Sequence, residues 1–112
     1  MDNRKRERNS QADTLRNTKA WRKKSKEIRK RDKGLCQICI RNLYHTTNQY
    51  TFDTIEVHHI IPLSEGGSLL SNHNLISLCK FHHNLSEAGG EISRATQLKI
   101  AREQEEKNSL SV

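Results

Sequence analysis

The sequence is short of the residues that build a large dry interior. Of its 112 residues, 32% are hydrophobic and 4% aromatic, and the mean hydropathy is −0.92. A chain of this size buries a modest share of its surface even when well supplied with apolar side chains. Part of it is therefore expected to be disordered, or to be held together by something other than its core. No apolar run approaches the ~20 residues of a membrane span. Met1-Asp2-Asn3-Arg4-Lys5 leads into no apolar stretch, so no secretory leader is expected and a reducing, cytoplasmic setting is the default. Cysteine is scarce as well, three in all. In such a setting three cysteines point to metal more than to a disulfide.

Negative charge is scarce at one end only. Residues 1–35 carry 14 of the 20 Lys and Arg against five Asp and Glu, and residues 36–112 carry six against eight. The net charge of +7 is thus a basic arm on a nearly neutral body. All six His and all three Cys lie between Cys36 and His83, and no internal repeat is present. Composition divides the chain into a basic arm over residues 1–17, expected to be disordered, a body over residues 18–90 that includes a basic helix, and a helical tail over residues 91–112.

Thr18 to Lys33 has helical spacing, with Trp21, Ser25 and Ile28 on one face and Gly34 placed to stop the helix. Lys and Arg cover the other faces. Arg22, Lys23, Lys26, Arg29 and Lys30 are candidate nucleic-acid contacts, because clustered cations displace the counterions that phosphates hold. The same run also fits a solvated face and a flexible tail. A lipid surface suits it less, since the stripe lacks an apolar side. Gln49 to Val57 alternates partly and suits a strand ending at His58-His59. Pro62 takes Ile60 to Leu63 out of the ladder, and Ser64 to Ser68 reads as loop. Leu75 to Leu78 reads as a short second strand, and a helix is expected from about Lys80 to Ala88. The tail is helix-prone from Ser93, a capping residue, to about Lys107, with Ala95, Leu98 and Ala101 near one face.

Cys36-Gln37-Ile38-Cys39 is a CxxC knuckle, and Cys79-Lys80-Phe81-His82 repeats its spacing forty positions later. Two such pairs bring four N/S ligands to one tetrahedron, which suits a structural zinc ion. Buried, inert cysteines near a histidine are the plainer alternative. Zinc would also answer the shortage of core, since structural zinc supplies folding free energy. The doublets His58-His59 and His82-His83 then sit at element ends, where the clamp can bring them together into a second, open metal site of the kind catalysis needs. Spacing alone leaves open which of His82 and His83 serves the zinc, because both i+3 and i+4 from Cys79 share its helix face. His45 and His73 read as surface or hydrogen-bonded residues.

Taken together, Cys36-x2-Cys39, the run Ile55-Glu56-Val57-His58-His59-Ile60-Ile61-Pro62-Leu63-Ser64-Glu65-Gly66-Gly67, and Asn74-Leu75-Ile76-Ser77-Leu78-Cys79-x2-His82-His83 resemble an HNH endonuclease. Trp21-Arg22 leading into Gly34-Leu35-Cys36 is similar to the small free-standing HNH proteins of bacteriophages. The resemblance spans about residues 20–90. It implies an α+β fold, a ββα-metal (His-Me finger) domain with zinc knuckles and flanking helices. It also implies roles: His59 as general base, Asn74 fixing the loop, His58 and His83 as ligands of a catalytic cation, and Cys36, Cys39, Cys79 and His82 as the structural zinc set. His58 stands where the family commonly has Asp, and imidazole, the softer ligand, shifts preference from Mg²⁺ toward Mn²⁺, Ni²⁺ or Zn²⁺. The implied activity is metal-dependent hydrolysis of DNA phosphodiesters, nicking or cutting both strands and leaving 5′-phosphate and 3′-hydroxyl ends. The implied setting is the bacterial cytoplasm, beside a phage packaging terminase. The competing reading is a zinc-stabilised nucleic-acid-binding module without catalysis.

Overall fold

A computed structural model describes residues 14–41, 55–86 and 90–110 of the chain. Helix α1 (Lys19–Arg31) starts where the Thr18 side chain accepts a hydrogen bond from Trp21 N, satisfying one of the donors that a helix start leaves unpaired. It buries Ser25, Ile28 and Arg31. Its end differs from expectation in one detail. Gly34 N donates to Arg29 O and Lys33 N to Lys30 O, a Schellman closure in which Lys33, with φ of 58°, takes the left-handed position usually given to glycine. Gly34, also at positive φ, is the residue after it.

Strands β1 (Ile55–His59) and β2 (Leu75–Cys79) form a two-stranded antiparallel sheet with His59 opposite Leu75 and Ile55 opposite Cys79. The expected strand residues 49–54 lie outside the described residues, as does His45. Between the strands the chain makes two short 3₁₀ turns, Leu63–Glu65 and Asn72–Asn74. The first occupies part of what composition read as plain loop. Gly67 is fixed by space: a Cβ there would lie 1.8 Å from the Ile61 carbonyl oxygen. Helix α2 (Lys80–Leu85) follows β2 directly; residues 87–89, where it was expected to end, lie outside the described residues. Helix α3 (Arg94–Leu110) closes the fold, with Ser93 Oγ accepting from Thr96 N.

The core gathers Cys36, Ile38, Cys39, Ile60, Ile76, Leu78 and Cys79 with Ile92, Ile100 and Ala101 of the tail. The tail is therefore part of the same packed unit as the sheet. Its buried face is Gln97, Ile100, Ala101 and Gln104, and Ala95 is exposed. This corrects Ala95 alone in the expected Ala95–Leu98–Ala101 stripe: Ala101 is buried and Leu98 packs, partly buried, against the core. The inward glutamines are bonded to polar groups, so hydropathy alone could not find them. Gln104 Nε2 donates to Asp32 Oδ1. Asp32 also accepts from Arg31 Nε and Nη2 and from Ser77 N. Arg31 further donates to Leu75 O, Asn72 O and Glu105. With side chains 2% and 0% exposed, this is an ion pair in a dry interior, tolerable because each charge is hydrogen-bonded on several sides. The fold is α+β, and among the described residues no helix is long and apolar enough to cross a membrane.

Disorder was expected through residue 17. Residues 1–13 lie outside the described residues, but residues 14–16 form a helical turn and Thr18 Oγ1 donates to Leu15 O. The turn is held by the same threonine that caps α1.

Candidate active site and metal cluster

Two groups of side chains flank helix α2. On one side Cys36 and Cys39 from the knuckle meet Cys79, the last residue of β2, and His82, one turn into the helix. Their ligand atoms all lie within 4.8 Å of one another. His82 Nδ1 is 3.3 Å from Cys36 Sγ and 3.4 Å from both Cys39 Sγ and Cys79 Sγ, and Cys39 Sγ is 3.9 Å from Cys79 Sγ. Zinc bonds of about 2.3 Å to sulfur and 2.0–2.1 Å to nitrogen imply tetrahedral edges of about 3.5–3.8 Å, so the spacing suits such an ion. The electrostatics agree. Burial and the neighbouring thiols push Cys39 up to about 12, and burial raises Cys36. A cation among the sulfurs reverses that cost, because coordinated thiols deprotonate.

On the other side lies an open cleft of about 390 Å³ whose walls include Arg16, Trp21, Arg29, Glu56, His58, His59 and His83. The His58 and His83 rings meet edge to face, centroids 4.7 Å apart. His58 is 7% exposed, and its Nε2 has no hydrogen-bond partner among the described residues. Burial, then the charges of His83, His59, Arg94 and Arg16, push it down to about 3. It is thus neutral, the form in which imidazole binds a metal. A buried, neutral, unpartnered nitrogen facing a second imidazole fits a divalent cation. Glu56, two residues before His58, contacts His83 Nδ1 through Oε2.

His59 sits at the end of β1 under the Trp21 ring, centroids 4.6 Å apart and planes 28° from parallel. Its Nε2 lies 3.1 Å from Leu69 O. A carbonyl can only accept, so Nε2 carries the hydrogen and Nδ1 keeps the lone pair. Burial lowers the His59 pKa, and the Leu69 carbonyl acts the other way. Asn74 holds the loop that carries Leu69. Its Oδ1 accepts from Ile61 N, and its Nδ2 donates to Ile61 O and Ser68 O.

Residues 36–87, which carry most of this geometry, match the family described as HNH endonuclease. The chain carries an HNH endonuclease domain. Neither curated proteins nor solved structures yield a match to the chain. The matched segment contains the Cys₃His cluster, His58, His59 and His83 of the cleft, and the whole loop between the strands. An HNH domain is of nuclease type and acts on nucleic acid, and its Cys₃His cluster can hold a metal ion.

The structure places His82 among the cysteines and His83 in the cleft, which separates the two arrangements that spacing left open. The five basic residues singled out on α1 divide. Arg29 lines the cleft, Arg22 lies beside it by helical angle, and Lys26 stands between that edge and Lys30. Lys23 and Lys30 project from the far side, where Lys30 lines a second groove with Lys33 and Lys107. Arg22 Nη1 also donates to Asn17 O. Sequence reasoning missed Arg16, Glu56 and Trp21 at the cleft. For Glu56 a signal existed, since residues i and i+2 of a strand share a face. For Trp21, the helical stripe gave only a shared face with Ser25 and Ile28.

Proposed function

We propose that this chain is a metal-dependent DNA endonuclease whose general base is His59. The observation that supports this most is the His59 imidazole. It is fixed between the Trp21 ring and the Leu69 carbonyl, with Nδ1 left to act, beside the paired rings of His58 and His83. In the proposed reaction His59 Nδ1 takes a proton from water as its oxygen attacks phosphorus, and the bond to the 3′ oxygen breaks, that oxygen taking up a proton from solvent water. The products carry 5′-phosphate and 3′-hydroxyl ends. His58 and His83 would hold the cation, which supplies Lewis-acid stabilisation of the phosphate and the departing oxygen. Asn74 keeps the Leu69 loop in register with His59. Arg16 and Arg29 face the same cleft and would grip phosphate oxygens, while Arg22 and Lys26 extend that contact along the duplex without reading sequence. Lys23 and Lys30 remain candidates for a more distant phosphate contact. In this reading Cys36, Cys39, Cys79 and His82 bind a structural zinc ion.

Supercoiled plasmid incubated with Mg²⁺, Mn²⁺, Ni²⁺ or EDTA, beside a His59→Ala control, tests the reading. Cleavage that needs a cation and falls about 10²–10⁴-fold in His59→Ala is the expected result. Equal cleavage by both proteins would overturn the base assignment. Absence of cleavage by either would leave a zinc-stabilised binding module. The phage setting and the terminase partnership implied by the resemblance form the outermost part of the proposal; co-purification with a terminase large subunit is their test, and its failure would confine the reading to the nuclease.

A further inference from the structure

His58 and His83 supply two neutral nitrogens to the proposed cation and no charge to balance it. Glu56 stands next to both. It shares a face of β1 with His58, two residues on, it lines the same cleft, and its Oε2 is hydrogen-bonded to His83 Nδ1. We propose that Glu56 is a positioning residue of the metal site, the carboxylate that sets the tautomer and direction of the His83 ring and brings a negative charge beside the cation. This rests on the nuclease reading above and deepens it.

An ionised carboxylate only accepts, so His83 Nδ1 carries the hydrogen and Nε2 keeps its lone pair for the cation. A histidine that binds metal through one nitrogen commonly donates from the other to a carboxylate. Loss of that partner typically weakens metal binding or activity by about 10–100-fold. The arrangement draws on two elements: β1 supplies Glu56 and His58, and α2 supplies His83. The hydrogen bond thus also ties the helix to the strand at the mouth of the cleft. The Glu56 side chain is 43% exposed, so its replacement leaves the core untouched.

The test is titration of the zinc-loaded full chain with Mn²⁺ by calorimetry. Mn²⁺ suits oxygen and nitrogen donors and competes poorly for thiolates. Glu56→Ala is expected to weaken Mn²⁺ binding by about 10–100-fold. Glu56→Gln, which keeps an acceptor but no charge, is expected to fall between Glu56→Ala and the unaltered chain. Unchanged affinity in Glu56→Ala, with affinity lost in His83→Ala, would overturn the inference and leave the metal site standing. Unchanged affinity in both would instead sink the metal-site reading on which it rests. A Co²⁺ absorption band that keeps its position in Glu56→Gln supports an orienting role; a shifted band would reassign Glu56 as a direct ligand and overturn it.

Discussion

His82 and His83 are chain neighbours with opposite surroundings. His82 is wholly buried among three cysteines that are themselves 1–3% exposed. The His83 side chain is 27% exposed and faces the open cleft against His58. About 100° of rotation along α2 separates the two environments. A closed set of four soft donors suits an ion that holds structure, and an open set suits one that shares its coordination with water and phosphate. In the proposed reading one short helix thus divides scaffold from chemistry, and residue type alone assigns neither role.

The largest expected effect tests the closed side. Cys36→Ser, or strong chelation of the folded chain, should unfold the domain, since structural zinc contributes on the order of 10 kcal/mol to small folds. A thermal melt indifferent to both would remove the clamp from the comparison. Next comes the neighbouring pair itself. His82→Ala should lose the cooperative melt, whereas His83→Ala should keep it and lose plasmid cleavage. Matching melts for the two variants would erase the distinction drawn between them. A smaller effect is expected at Trp21, whose ring lies on His59. Trp21→Ala should slow cleavage about 2–12-fold, the scale of an aromatic pair worth about 0.5–1.5 kcal/mol, with zinc content by elemental analysis unaltered. The smallest effect is at the rim. Each of Arg22→Ala, Lys26→Ala and Arg29→Ala should lower the slope of log affinity against log salt by about 0.9. In Lys23→Ala and Lys30→Ala, on the far side, a weaker change measured by fluorescence anisotropy would sharpen the picture of one DNA-facing edge.

The readable parts of this sequence were those carried by local pattern. The α1 stripe through Ser25 and Ile28, the β2 run from Leu75, and the CxxC and CxxH pairs each state their structure within a few residues. What escaped was burial of polar groups. Hydropathy marks Arg31, Asp32, Gln97 and Gln104 as surface, yet all four are buried. Partners distant in sequence satisfy Arg31, Asp32 and Gln104, and Gln97 donates to the nearby Ile92 and Ser93 carbonyls. Glu56 escaped for a related reason: its meaning depends on His83, which only the crossing of strand and helix brings near. The HNH motif itself was legible because its ligands come in spaced pairs, and the family match over residues 36–87 agrees with it.

Arg31 and Asp32 also determine when the chain can become whole. The Asp32 carboxylate finds Ser77 N 45 residues downstream and Gln104 72 residues downstream, and Arg31 reaches Glu105 across 74. Closing loops of that length precedes any gain from the contacts they allow. A growing chain that ends before α3 holds a carboxylate and a guanidinium at a half-built interface, short of two of their partners. The cleft, lined by residues between Arg16 and His83, therefore rests on contacts that α3 completes.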